Sequence, residues 1–163
     1  MQKLQWIQDK IYSREVLQRE CNIWRAAGKK IVFTNGCFDI LHHGHLVLLA
    51  EAASMGNILI VGVNTDRSVQ RLKGPERPLS NEMDRAFQVA AMLCTDAVCL
   101  FDEDTPDALI RVVRPDVLVK GGDYTVEQVV GADFVKSNGG RVEIIPFVEG
   151  YSTTSIVARI KKL

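Results

Sequence analysis

The chain alternates between two hydrophobic rhythms. Five short runs are apolar at almost every position and rich in β-branched residues: IVFTN at 31–35, ILIVGVN at 58–64, AVCL at 97–100, VLVK at 117–120 and VEIIPF at 142–147. Runs this short and this uniformly apolar suit strands buried on both faces. The segments between them place apolar residues at helical spacing. Residues 13–27 carry Val16, Leu17, Cys21 and Trp24 on one stripe, with Ser13 as the expected N-cap and Gly28 as the stop. A second helix is expected to start near His43 and run through LVLLAEAASM to Gly56. A short helical piece falls near Ser68, and Ser80 is expected to cap a helix with Met83, Phe87, Ala90 and Leu93. Thr105 before Pro106 opens another, which ends before Pro115; proline at the first helical position lacks only an N–H that has no partner there. Short helical segments at 126–130 and 132–137 and a closing helix at 153–162 complete the series.

Strands alternating with helices predict an α/β fold: a Rossmann-like, doubly wound, five-stranded parallel sheet in a single domain. No internal repeat, low-complexity stretch or linker interrupts it. The expected organisation is an N-terminal helical extension, 1–27, followed by the domain proper, 28–163. The stripe of Val16, Leu17 and Trp24 reads as core, so the 13–27 helix should pack on the domain or on a neighbouring subunit. A homo-oligomer is compatible with either.

Composition narrows the partners. Twenty basic residues balance twenty acidic ones, so no net field draws the protein to nucleic acid or to an anionic membrane. Any anion must be recognised locally. The four cysteines form no C-x-x-C pair and read as small apolar residues of a reduced compartment. The N-terminal MQKLQWIQDK lacks the apolar run of a signal peptide, and no stretch approaches the ~20 apolar residues that span a bilayer. A cytoplasmic protein is expected.

Sheets of this kind bind ligands beyond the carboxyl ends of their strands. Four loops lie there: 36–45, 64–80, 121–124 and 149–154. The first, GCFDILHHGH, holds all three histidines of the chain, His42, His43 and His45. Positions i and i+3 share a helix face, so His42 and His45 can point together into the crevice while His43 points elsewhere. Gly44 lets a ligand come close, and a helix start attracts phosphate through its unpaired N–H groups and its dipole. Incidental surface histidines and a metal site of Asp39, His42 and His45 are the competing readings; zinc accepts such ligands, but no second cluster completes the set.

The second loop, LKGPERPLS, concentrates Lys73 and Arg77, with Arg71 before it and Arg85 one turn into the next helix. A lysine and a forked guanidinium are what a phosphate clamp requires, although a solvated basic loop would look the same. The last loop places three consecutive hydroxyls, Ser152, Thr153 and Thr154, at a helix mouth. One should be the N-cap, and the group can join the helix N–H donors on a polyphosphate. In KGGDY the glycine pair permits close approach, and Asp123 could bond a hydroxyl or a ring amine. The chain has no G-x-x-x-x-G-K-[ST] and no G-x-G-x-x-G after its first predicted strand, which argues against P-loop and dinucleotide redox chemistry.

The motif G-x-F-D-x-x-H-x-G-H (Gly36, Phe38, Asp39, His42, Gly44, His45) and the later S-T-T resemble the cytidylyltransferase-like superfamily of nucleotidyltransferases. The strings TNGCFDILHHGH, VNTDRSVQRLKGPERP, FDEDTP and DVLVKGGDY are similar to the adenylyltransferase domain that makes ADP-activated heptose. The likeness covers about residues 28–163. It implies transfer of AMP from ATP to a sugar 1-phosphate, with Mg²⁺ and release of pyrophosphate. By the same resemblance His42, His45 and Lys73 act on the reacting phosphates. Asn35, Gly36, Cys37, Phe38 and Gly44 would bind the nucleotide from the first loop. Gly121, Asp123, Ser152, Thr153 and Thr154 would complete its site, while Asp39, Arg77 and Arg85 would meet the substrate phosphate. Mg²⁺ is expected to be held largely by substrate phosphates and water, because these loops lack the carboxylates of a closed cage. Tyr151 departs from the smaller residue common at its position. Relatives often carry a fused sugar kinase, so here a separate kinase is the expected source of the acceptor. Two alternatives stay open: a cytidylyltransferase acting on a polyol phosphate such as glycerol 3-phosphate, and a catalytically silent nucleotide-binding regulatory module.

Overall fold

The computed structural model describes residues 2–162. Along the chain run α1 (Lys3–Gln8), β1 (Ile11–Tyr12), α2 (Arg14–Ala26), β2 (Ile31–Gly36), α3 (His43–Ala53), β3 (Ile58–Asn64), α4 (Asp66–Lys73) and α5 (Glu82–Ala90). There follow β4 (Ala97–Phe101), α6 (Asp107–Val113), β5 (Val117–Gly121), a 3₁₀ turn (Val126–Gln128), α7 (Ala132–Ser137), β6 (Arg141–Ile145) and α8 (Thr153–Ile160). The strands form one parallel sheet in the order β1-β4-β3-β2-β5-β6.

The sheet therefore has six strands, where five apolar runs predict five. The sixth, β1, pairs Ile11 with Val98 and Tyr12 with Cys99 on the edge of β4. Two residues joined through backbone bonds leave no hydrophobic pattern to read. The segment before residue 28 also enters the core: Leu17 and Cys21 of α2 are fully buried beside Ile31, Phe33 and Ile60. Other boundaries move as well: the last strand ends at Ile145, before Pro146 and Phe147. Asn81, not Ser80, caps α5, its side chain accepting from Asp84 N at 3.0 Å, because the helix starts one residue later, at Glu82, after the Ser80 N–H has donated to Asp39. Leu93 lies beyond that helix and is 92% exposed. Pro106 occupies the cap position itself, one residue before α6.

Both faces of the sheet are covered, as double winding requires. Leu118 shares one core with α2, α6 and α7, whereas Val117 and Val119 share the other with Leu49 and Ala52 of α3. Pairing then opens a gap. β2 is paired with β3 along all six of its residues, and β5 with β6 along all five. Between β2 and β5, however, only Val32↔Val117 and Phe33↔Leu118 are in register. Beyond those pairs the two strands diverge, and the crevice opens at this switch point between the two halves of the sheet.

Candidate active site

A crevice of about 850 Å³ lies over that split, within the size range of small-molecule sites. One lip is the end of β2 with the starts of α3 and α8, where Tyr151 packs on His43; the other is formed by β5 and the end of β6. It brings together most of the residues singled out above: Asn35 and Gly36 from the end of β2, Cys37, Phe38, His42, Gly44 and His45 from the turn into α3 and its first residues, and Lys73, which the structure places at the end of α4 and not in a loop. Ser152, Thr153 and Thr154 join them from the start of α8, and Gly121 of β5 lies on the far lip.

His42 is the N-cap of α3, but its imidazole makes no capping bond; the His45 N–H turns back to the His42 carbonyl at 2.9 Å, which leaves the His43 and Gly44 amides for a ligand. The His42 and His45 rings stack with centroids 3.8 Å apart and planes 23° apart. Each has a buried Nδ1 with no hydrogen-bond partner. Burial, together with the neighbouring His42 and the Lys73 ammonium, lowers the His45 pKa to about 4. The Ile40 backbone acts the other way, through an approach that falls short of a formed hydrogen bond. Burial also lowers the His42 pKa. Both rings are thus neutral at pH 7, and each has one N–H to donate. His43 is exposed and packs its ring against Tyr151 at 5.0 Å.

The depressed His45 pKa carries a stability consequence. The native state binds this proton less readily than the unfolded chain, whose histidine titrates near 6.5. Stability present at pH 7 is therefore lost as the pH falls from about 6.5 through about 4, by up to about 3 kcal/mol. Urea midpoints at pH 7, 5.5 and 4.5 should fall less steeply for His45→Gln than for the wild type. Parallel declines would show that His45 contributes nothing.

Gly44 has a second neighbour besides the crevice, the His42 ring. A Cβ there would meet Cε1 and Nδ1 of His42 at 3.2 Å, so the missing side chain makes room for the imidazole, while Gly44 also lines the crevice. Gly44→Ala should move the His42 ring by a few tenths of an ångström and lower turnover roughly three- to tenfold. Stability should hold or rise by up to about 1 kcal/mol, since alanine favours the helix. Kinetics beside thermal melts would separate the two effects. Phe38 has a left-handed φ of 49° and is 2% exposed, a conformation unusual for a bulky residue and common near functional sites. Its ring lies over Gly36 and 5.2 Å from His45, so it braces the pair as well as lining the crevice.

Three expected contacts with the substrate phosphate are spent on the protein itself. Asp39 is 2% exposed; it accepts from Arg77 Nη1 at 2.5 Å and from the backbone of Leu79 at 2.6 Å and Ser80 at 3.1 Å. Its carboxylate folds the second loop against the first, which removes it from any metal set with the histidines. Among the described residues no group of three or more His, Cys, Asp or Glu side chains is placed to hold a metal ion. Arg77 is held by the same pair. Arg85 is fully buried and donates to the carbonyls of Ser80 at 2.9 Å and Cys37 at 2.5 Å and to Asp66 at 2.8 Å. All three lie outside the crevice lining, and so does Asp123, which is exposed. Arg71 turns away to the Asp102 carbonyl and Asp104.

The hydroxyls at α8 divide their work. Ser152 accepts from Ser155 N at 3.0 Å while Ser155 reaches back to Ser152 N at 3.2 Å, a reciprocal cap. Thr153 and Thr154, next along, lie open to the crevice. Asn64, Lys120, Tyr124 and Phe147 also line it, although their sequence context assigns them no role. Asn64 and Lys120 stand at or one residue before the carboxyl ends of β3 and β5, so the strand-end rule could have marked both.

The sequence model of the cytidylyltransferase-like family matches residues 33–159. The chain is 56% identical over 151 residues to the bifunctional protein HldE of Trichlorobacter lovleyi, covering 93% of this chain and 31% of that one. It is 59% identical over 136 residues to the bifunctional protein HldE of Geobacter metallireducens, covering 83% and 28%. The chain thus spans about a third of the length of these relatives. A lipopolysaccharide core biosynthesis protein from Thermoplasma volcanium superposes with a TM-score of 0.60 at 28% identity, over 77% of this chain and all of that one. A pantoate–beta-alanine ligase from Francisella tularensis has the same TM-score at 16% identity, over 93% and 76%, and shares the fold.

Proposed function

Because the chain belongs to the cytidylyltransferase-like family, we propose that it is a nucleotidyltransferase that moves AMP from ATP to the phosphate of a sugar 1-phosphate, heptose 1-phosphate in particular. The observation that carries this reading is the stacked His42–His45 pair, which meets Lys73 and the start of α8 in one crevice. In the reaction an oxygen of the acceptor phosphate attacks the α-phosphorus. A new P–O bond forms, the bond to the β-phosphate oxygen breaks, and pyrophosphate leaves with that electron pair. A phosphate oxygen is already a nucleophile at neutral pH, so no strong base is required. Catalysis reduces to aligning two anions and stabilising charge that grows on the transferring and leaving oxygens.

Neutral imidazoles suit this task. Each donates one hydrogen bond, and an arriving polyphosphate favours the protonated form that burial disfavours. The amides at the start of α3 and α8, with the hydroxyls of Thr153 and Thr154, supply further donors, and Lys73 supplies fixed charge. The donor set also fits Mg²⁺ carried by the nucleotide. Of the two carboxylates in the crevice, Asp104 is paired with Arg71, which leaves Glu149 and the substrate oxygens as ligands with water. Bound there, the ion would neutralise phosphate charge. The acceptor has to come from a phosphorylating reaction, whether it is catalysed on this polypeptide or by a separate kinase.

The test is pyrophosphate release with ATP and with CTP, against heptose 1-phosphate, other sugar 1-phosphates and glycerol 3-phosphate. Turnover with ATP and a sugar 1-phosphate is expected. Turnover only with CTP and a polyol phosphate would make it a cytidylyltransferase. ATP binding by calorimetry without turnover on any acceptor would make it a regulatory module.

A further inference from the structure

Two anionic substrates need more positive charge than the crevice has so far been assigned. Arg77 and Arg85 are consumed by the protein, which leaves the acceptor phosphate without its expected partners. Two lysines line the crevice, Lys73 and Lys120. Lys120, within β5, makes no salt bridge or side-chain hydrogen bond among the described residues. Its ammonium lies 5.6 Å from the centre of the Tyr124 ring. An unpaired cation on a half-buried stem is costly unless a ligand completes it. Burial accordingly lowers its pKa, a shift that a bound dianion would reverse.

Placement says which ligand. Side chains alternate along a strand, and Val117 and Val119 face the core shared with α3, whereas Leu118 faces the other. Lys120 therefore approaches from the sheet face opposite the histidine pair. The start of α8 is on the histidine side, with Tyr151 against both His43 and Gly44. In-line displacement puts the attacking and leaving oxygens on opposite sides of the phosphorus. With the polyphosphate at the histidines and the start of α8, the attacking group must come from the far lip, where the split between β2 and β5 presents Lys120.

We propose that Lys120 is a binding residue for the phosphate of the acceptor, a phosphomonoester seated on the far lip beside Tyr124. This rests on the transfer reading above for its in-line geometry, but phosphate binding can be read without turnover. Lys120→Met keeps the stem and removes the charge; Lys120→Arg keeps the charge. Wild type and both variants are saturated with α,β-methylene ATP, which cannot be cleaved at the reacting bond, and titrated with inorganic phosphate by ³¹P NMR. In parallel, KM and kcat are measured for heptose 1-phosphate with ATP.

Lys120→Met should weaken phosphate binding and raise the acceptor KM by about 10- to 100-fold, with affinity for the nucleotide analogue changed by less than about threefold. Lys120→Arg should recover most of both losses. The assignment is overturned if the wild-type complex binds no phosphate, if Lys120→Met binds it as well as wild type, or if analogue affinity falls in step and so places Lys120 on the nucleotide. Phosphate binding that depends on Lys120 without turnover on any acceptor would support the site and reject only the transfer reading. Circular dichroism on both variants confirms that they are folded.

Discussion

His42→Ala and His45→Ala should each lower kcat by about 10²–10³, roughly 3–4 kcal/mol of lost transition-state stabilisation, while the Kd for ATP changes less than about tenfold. The two rings are stacked, neutral and buried at Nδ1, so they are held before substrate arrives and need little reorganisation to donate. Donors aimed at charge that appears during transfer act on turnover more than on binding. His43→Ala removes an exposed ring packed on Tyr151 and should stay within a few-fold of wild type. Asparagine at 42 or 45 keeps a donor and should recover part of the loss. Steady-state kinetics on the three alanine variants, with calorimetry for ATP, checks this. A deficit at 42 and 45 confined to ATP binding, or an equal cost at 43, would sink the donor-pair account.

Replacing Arg85 should act on folding before it acts on chemistry. Its guanidinium joins three segments: the Cys37 carbonyl of the first loop, the Ser80 carbonyl of the second, and Asp66 at the start of α4. Arg85→Met leaves two carbonyls short of a donor and one carboxylate, a third exposed on its side chain, without its partner. Orphaned buried acceptors cost about 1–3 kcal/mol each, so a loss of about 3–5 kcal/mol is expected. It would appear as a lower urea midpoint at unchanged slope. A residue that merely contacted substrate would raise KM and leave the midpoint alone.

Arginine 85 also marks the boundary between what is legible in a sequence and what is not. Its charge and its place one turn into a helix suit a phosphate ligand as well as a structural tie. Only burial separates the two, and burial depends on segments far apart in the chain. Asp39 poses the same ambiguity: beside two histidines it looks like a ligand, but Arg77 and the Leu79 and Ser80 amides lie about forty residues away. Gly44 reads in the sequence as a place for close ligand approach, and only the fold shows that a side chain there would also press on the His42 ring.

The sequence by itself determined the alternation of five apolar strands with helices, because burial on both faces imposes a hydrophobic run and helical packing imposes a period. It also placed His42, His45, Lys73 and Ser152 to Thr154 in the connections that follow strands, since those positions follow from local order along the chain. The tertiary structure alone decided the two-residue edge strand β1, which is held by backbone bonds that carry no side-chain signature. It decided which cations are left for a ligand, because a charge can be spent only on partners that folding brings within hydrogen-bonding distance. And it separated β2 from β5 beyond two paired residues, which turned an ordinary strand lysine, Lys120, into the far wall of the crevice.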